Sequence, residues 1–415
     1  MVRIANEKIP VLSFIYCFCI VLYAGMATEF TCGLGNITTI GNAVGLALTV
    51  LVIIAHGISF DRKFLRVLLI FFLYGLVTTI NQFRFSFIWL TKWPIFFIIA
   101  YTLCHDLKDR LFETIEVVIV TLCVISLALW VVQTIDPSTI YSIVKRFEFS
   151  APYSEEAKIE GNMLVYTLNS TYANKEFLGI FPRNAGFAWE PGVFGSYICL
   201  GIFCNMLRKG FSFKNNLPLV IMIVTLLSTQ STTAIAAFAV GLAIWLATER
   251  KLTYALWIIP LLAWLYTLPF VSEKAMIQFG DAIGFTASQI DINQDLNRMQ
   301  SFVLSWEEFL RHPILGLGGD AGGSWLQQHG YDVPIFSGIG ELLSRYGIIM
   351  TILFFCVLVQ STKKINERYH IKSAYSFVGI FICIMISFNN WNAPLFMAFW
   401  LYSQFGSPLT NQISN

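Results

Sequence analysis

The sequence predicts an all-α polytopic membrane protein: one membrane domain over residues 1–415, about twelve transmembrane helices and two long loops on one side. Three observations predict it. The 415 residues are 56% hydrophobic and 13% charged, with a mean hydropathy of +0.66, whereas soluble domains carry about 25% charged residues. Apolar runs of the ~20 residues that a bilayer requires recur along the chain. Basic residues gather in alternate turns between those runs. A soluble chain of this composition would expose large apolar patches. The net charge of +2, dispersed along the chain, offers no nucleic-acid surface.

In order, the candidate spans lie near 10–28, 39–58, 64–80, 86–104, 114–135, 191–207, 216–230, 232–248, 254–271, 338–361, 373–389 and 392–407. The first follows Arg3 and Lys8; it is long for a signal-peptide core and lacks a small-x-small cleavage site, so it is read as a retained helix. The seventh and eighth are short and nearly touch. With the N-terminus inside, Arg62, Lys63, Arg66, Lys108, Arg110, Arg208, Lys209, Lys214, Arg250, Lys251, Lys363, Lys364, Arg368 and Lys372 all fall in inside turns, whereas the short outside turns hold little beyond Arg84. Both termini are therefore expected in the cytoplasm. Two long outside loops remain, 136–190 and 272–337. Of nine cysteines, all but Cys32 lie in apolar runs, without metal spacing, and read as small packing residues.

The second loop carries its own helix. From Asn293 to Arg311 apolar residues recur at Met299, Phe302, Val303, Trp306, Phe309 and Leu310, a stripe about 120° wide that predicts an amphipathic helix on the membrane surface or capping the bundle. Arg298, Ser301, Ser305 and His312 fall on the opposite, wet face. Pro313 ends the helix, and GLGGDAGG at 316–323 reads as a mobile glycine loop.

Candidate chemistry centres on FPRNAGFAWEPGVFG, residues 181–195. Arg183 and Glu190 stand just before a span, at the water–lipid boundary. A guanidinium forks onto phosphate oxygens and a desolvated carboxylate can act as a general base. Glu190-Pro191 also suits a plain helix start. Arg298, Arg311 and His312 in the second loop are further candidates, His312 as a second choice of base. Arg298 and His312 are about 21 Å apart along a helix and cannot grip one phosphate unless the chain bends. Lys92 stands within the fourth span, where a charge is either functional or snorkelling beside Trp89 and Trp93. Glu341 and Arg345, spaced i,i+4, can pair with each other. The block Ser228–Thr233, with Ser228 and Ser231, can bond sugars or phosphates, or can satisfy backbone at a tight turn. The glycine loop lacks GK[ST], and there is no metal triad, DxD or GxSxG.

RNAGFAWEPGVFG at 183–195, LLSTQSTTAI at 226–235 and RMQSFVLSWEEFLRHPILGLG at 298–318 resemble the O-antigen polymerase/ligase superfamily. The resemblance implies a GT-C-type, metal-independent glycosyltransferase of the bacterial inner membrane with no cofactor. Its donor would be an undecaprenyl-diphosphate-linked oligosaccharide, its setting membrane lipid, and its partners a chain-length regulator and a flippase. Arg183 and Arg298 fall where the family's essential periplasmic arginines lie, thought to hold the donor diphosphate. The His-Asn pair usual in ligases is replaced here by Phe336-Ser337, and the Ser-Arg often found after the seventh span by Ser-Thr-Gln. Both departures favour a polymerase in O-antigen, capsule or exopolysaccharide assembly. The competing readings are an O-antigen ligase joining polymer to lipid A core, and a lipid-linked oligosaccharide flippase; the chain shows no repeated halves to support the latter.

Overall fold

The computed structural model describes residues 9–24, 36–82, 92–139, 142, 148–152, 158–162, 176–177, 181–188, 190–249, 298–319 and 337–406. The helices are α1 (Val11–Ala24), α2 (Asn36–His56), α3 (Arg62–Gln82), α4 (Lys92–Leu107), α5 (Leu111–Ile135), α6 (Pro191–Lys209), α7 (Leu217–Thr229), α8 (Thr232–Thr248), α9 (Arg298–Arg311), α10 (Gly338–Tyr369), α11 (Ser376–Ser387), α12 (Pro394–Trp400) and α13 (Tyr402–Phe405). Among the described residues, three stretches, Arg62–Gln82, Lys92–Ile135 and Gly338–Tyr369, are long and apolar enough to cross a membrane. The middle one is two helices, because Lys108 adopts a positive φ of 46° and opens a 3-10 turn between α4 and α5. The chain is an all-α membrane protein. The predicted span 254–271 lies outside the described residues.

Helix α6 is the axis of the bundle. Every residue from Pro191 to Leu207 is buried, against α5, α7 and α8. Its small residues, Gly195, Ser196, Cys199, Gly201 and Cys204, let those neighbours approach closely, as helix packing within lipid requires. At the periphery α3 does the opposite, leaving Leu65, Leu69, Phe72, Leu76, Val77 and Ile80 exposed as a lipid face. An aromatic layer fills the space between, with Trp93 against Tyr346 and Trp391, and Phe354 against Trp400.

The turns predicted to lie inside do meet at one end of the bundle. There Arg208 pairs with Glu113 and Glu116, Arg368 with Asp109, and His56 with Asp106, while Lys364 donates to the Gly406 carbonyl at 2.7 Å. At the far end, Thr233 of α8 meets Ser387 of α11 at 3.0 Å, Ser337 before α10 donates to the Met385 carbonyl, and Asn390 donates to Ser196 of α6 at 2.8 Å.

Four features depart from the sequence reading. The first long loop contains two antiparallel hairpins, β1 (Glu148–Pro152) with β2 (Lys158–Asn162) and β3 (Glu176–Phe177) with β4 (Phe181–Pro182). The last predicted span, 392–407, is two short buried helices broken at Leu401, where the Ser361 hydroxyl donates to the Trp400 carbonyl at 2.6 Å. The third concerns α9, which forms as expected but turns part of its polar face inward. Ser301, Ser305 and Glu308 are buried together with Leu304 and Phe309, whereas Trp306 and Leu310 of the apolar stripe are 43% and 59% exposed. Ser305 abuts Gly340 of α10 so closely that an added Cβ would sit 3.0 Å from it. Next to lipid an apolar stripe gains nothing by turning inward, and small residues make the closer helix contact. Ser301 and Ser305 are therefore a packing face, not a wet one.

The fourth concerns the glycine loop. Helix α10 breaks at Gly347 (φ 68°, ψ −178°), and the chain at 313–319 fills the break. Leu317 and Gly319 donate their N–H groups to the Ser344 and Arg345 carbonyls at 3.1 and 3.0 Å, and Ile348 donates to the Pro313 carbonyl at 2.9 Å. Tyr74 of α3 donates to the Leu315 and Tyr346 carbonyls, and Gln82 to Gly316. A Cβ on Gly347 would lie 2.4 Å from the Ile314 oxygen. Backbone groups without water must find protein partners, so residues 316–319 are a buried splint rather than a mobile loop; 320–323 lie outside the described residues.

Candidate functional site

The loop before α6 is built around two side chains. Asn184, fully buried, accepts from Ser126 at 2.7 Å and from the Gly186 N–H at 2.9 Å, and donates to Ser228 at 3.0 Å. It ties the loop to α5 and α7. Gly186 turns with φ 54° under the Phe194 ring, where no Cβ fits. Arg183, 9% exposed, donates through Nε to the Thr229 carbonyl at 3.3 Å and through Nη2 to the Gln230 carbonyl at 3.5 Å. A guanidinium at the last carbonyls of α7 satisfies groups the helix leaves open and meets the negative end of its dipole. Gln230, in a left-handed conformation, and Trp130 hold β4 in place through the Phe181 and Pro182 carbonyls.

Glu190 occupies the residue before α6, with extended backbone and no side-chain cap. Its carbonyl starts the helix by accepting from Phe194 at 3.1 Å. The half-buried carboxylate is thus positioned by the helix start without capping it.

A second polar group lies at the same end, around Glu341. This carboxylate is 3% exposed and accepts from Arg345 Nη1 at 3.1 Å, Trp391 Nε1 at 3.0 Å and Asn392 Nδ2 at 3.4 Å. Among the described residues, the buried Nε of Arg345 has no hydrogen-bond partner. Lys92 opens α4 and feels the charges of both Glu341 and Arg345, and its ammonium lies 5.5 Å from the Phe96 ring centre. The adjacent Trp93–Tyr346 contact, 5.7 Å between ring centres, fixes α4 against α10 here. Two cations thus face one carboxylate.

The predicted residues divide accordingly. Arg183, Glu190, Ser228 and Ser231 belong to the first group, with Ser228 and Ser231 bonding Asn184, the Thr225 carbonyl and the Ala234 N–H. Lys92 belongs to the second. Arg298 opens α9, on the face that packs against α10, but its side chain lies outside the described residues; Arg311 is exposed and His312 half-buried at the other end of that helix. Sequence reasoning missed Asn184 and the Trp391-Asn392 pair, which sits about 50 residues from Glu341. The run NNWNAP at 389–394, polar between two apolar stretches, was the available signal. Comparison with known protein families, with curated proteins and with solved structures gives no match.

Proposed function

We propose that this chain is a polysaccharide repeat-unit polymerase, a GT-C-type glycosyltransferase of the bacterial inner membrane with about twelve spans and both termini cytoplasmic. It transfers an undecaprenyl-diphosphate-linked glycan chain onto the next lipid-linked repeat at the periplasmic face, working with a flippase and a chain-length regulator. The observation that carries the reading is that Arg183, Lys92 and Arg345 lie at the same end of the bundle, opposite the basic turns, with α9, the helix that Arg298 opens, docked on the helix that bears Arg345.

In the reaction the bond from the donor's anomeric carbon to its diphosphate breaks and a bond to an acceptor hydroxyl forms. Undecaprenyl diphosphate leaves. Arginines held at the membrane surface, Arg183 and Arg298, neutralise that leaving group in a setting where water is scarce. Glu190 takes the hydroxyl proton, with His312 as the alternative base. No metal is required when guanidinium groups carry the charge.

The test is complementation of a deletion strain with Arg183→Ala and Arg298→Ala at wild-type expression. Loss of the long glycan ladder, with single repeats retained, is the expected result. Persistent long ladders in Arg298→Ala overturn the reading. Accumulation of lipid-linked polymer in the deletion strain points instead to a ligase.

A further inference from the structure

Between α3 and α10 lies a cavity of about 240 Å³ that runs from Leu342 and Trp391 toward the basic end. Its walls are Val67 and Phe71 of α3 and Leu353 and Val357 of α10, and its floor is Trp391 and Trp400. The floor is rigid, because Trp400 donates its indole N–H to the Trp391 carbonyl at 2.9 Å and both rings are buried. Ile70, which lines the cavity, is exposed, as are Leu69 and Leu73 on α3 and Ile352 and Val359 on α10, so both helices present apolar side chains to lipid. A ligand reaching this groove comes from the bilayer and enters as a hydrocarbon chain.

One end of the groove is different. Arg66, Gln360 and Gln404 line it there. Arg66 is exposed. Lys63 stands one turn away on α3 and bears on Lys364 of α10. The lining residues from Met350 to Gln360 run about 15 Å along α10, so a chain lying in the groove places its headgroup beside Arg66. Basic side chains at the end of an apolar slot attract an anionic headgroup.

We propose that this groove binds one anionic phospholipid, its acyl chain over Trp391 and Trp400 and its phosphate at Arg66. The site is separate from the groups assigned to glycan transfer and does not depend on that assignment. Because Trp391 also holds Glu341, the bound chain braces the floor on which that carboxylate rests.

Native mass spectrometry of the full chain, exchanged into detergent with equal phosphatidylglycerol and phosphatidylethanolamine, tests it. The wild type should retain one phosphatidylglycerol with a preference of at least about fivefold, the factor expected of one basic residue beside an anionic headgroup. Arg66→Gln, at an exposed position, should fold normally and lose that preference while still retaining lipid. Val357→Trp, which fills the groove, should lose the retained lipid. An unchanged preference in Arg66→Gln, an undiminished lipid adduct in Val357→Trp, or retention of an isoprenoid phosphate in place of phospholipid would each overturn the proposal.

Discussion

The two ends of the bundle each bury a carboxylate against an arginine, and they do it differently. At the basic end Glu116, 2% exposed, accepts from Arg208 Nε and Nη2 at 3.0 and 2.6 Å and from Asn205 at 2.8 Å, so that both its oxygens are engaged. Arg208 reaches Glu113 with its third nitrogen, and Asn205 and Asn216 bond each other in both directions. At the far end Glu341 is also fully engaged, but among the described residues the buried Nε of its arginine finds no partner, and a second cation, Lys92, stands beside the pair. A closed network locks α5 to α6. A network with surplus positive charge is more naturally a place that receives an anion, since a buried uncompensated charge is destabilising when nothing binds it.

If the basic end is a lock, opening it should damage the fold more than any other single change. Glu116→Ala leaves Arg208 Nε and Nη2 and one Asn205 N–H without the buried carboxylate they share, a loss of about 3–5 kcal/mol. Thermal melting in detergent should show a large drop and folded yield should fall, while the proposed glycan transfer, measured per folded molecule, is preserved. A stable Glu116→Ala protein would erase the contrast between the ends.

Gly347→Ala comes next. It places a side chain at positive φ, at about 1–3 kcal/mol, and drives a Cβ into the Ile314 oxygen, for about 1–3 kcal/mol more. The splint should detach from α10, and hydrogen exchange at Leu317, Gly319 and Ile348 should accelerate. Slow exchange at those amides in the variant would show that α10 tolerates the break without its splint.

Arg183→Ala is smaller in stability, and its effect on the proposed transfer separates two roles. It leaves the Thr229 and Gln230 carbonyls without their guanidinium donor, about 1–3 kcal/mol. Arg183→Lys keeps the charge but loses the fork. If Arg183 only caps α7, both variants transfer glycan in proportion to the protein that folds. If it also holds the diphosphate, transfer falls well below that fraction, and the two readings separate in one gel normalised to folded protein.

The sequence carried much of this and missed specific parts. Apolar length placed the helices, and the alternation of basic turns foretold which ends meet, because Arg208, Lys364 and Arg368 do share one end. The FPRNAGFAWEPG stretch was legible because a cation, a carboxylate and a proline at a span boundary are all local signals. The facing of α9 was not, since a helical wheel finds the apolar stripe but not whether protein or lipid covers it. Glu341's partners escaped because they lie 50 and 51 residues away. The glycines at 316–319 pointed to freedom, whereas their use is close backbone approach, which only the position of Gly347 reveals.

The finest test of the contrast is Lys92→Met. In a closed network, deleting a cation breaks a pair and destabilises, as Arg208→Met should at the basic end. Around Glu341 the carboxylate keeps Arg345, Trp391 and Asn392 without Lys92, so removing the second cation gives up its attraction to Glu341 but removes the cost of holding its charge in the bundle, and with it the repulsion from Arg345. Methionine also suits the Phe96 and Trp93 surroundings that the lysine stem already occupies. The expected result is a small gain of about 0.5–2 kcal/mol, seen as a higher melting temperature in detergent, together with weaker glycan transfer, the trade expected where a charge is held for function. A melting temperature lowered by Lys92→Met would mean that the far end needs both its cations to fold, and the two ends would then be locks of the same kind.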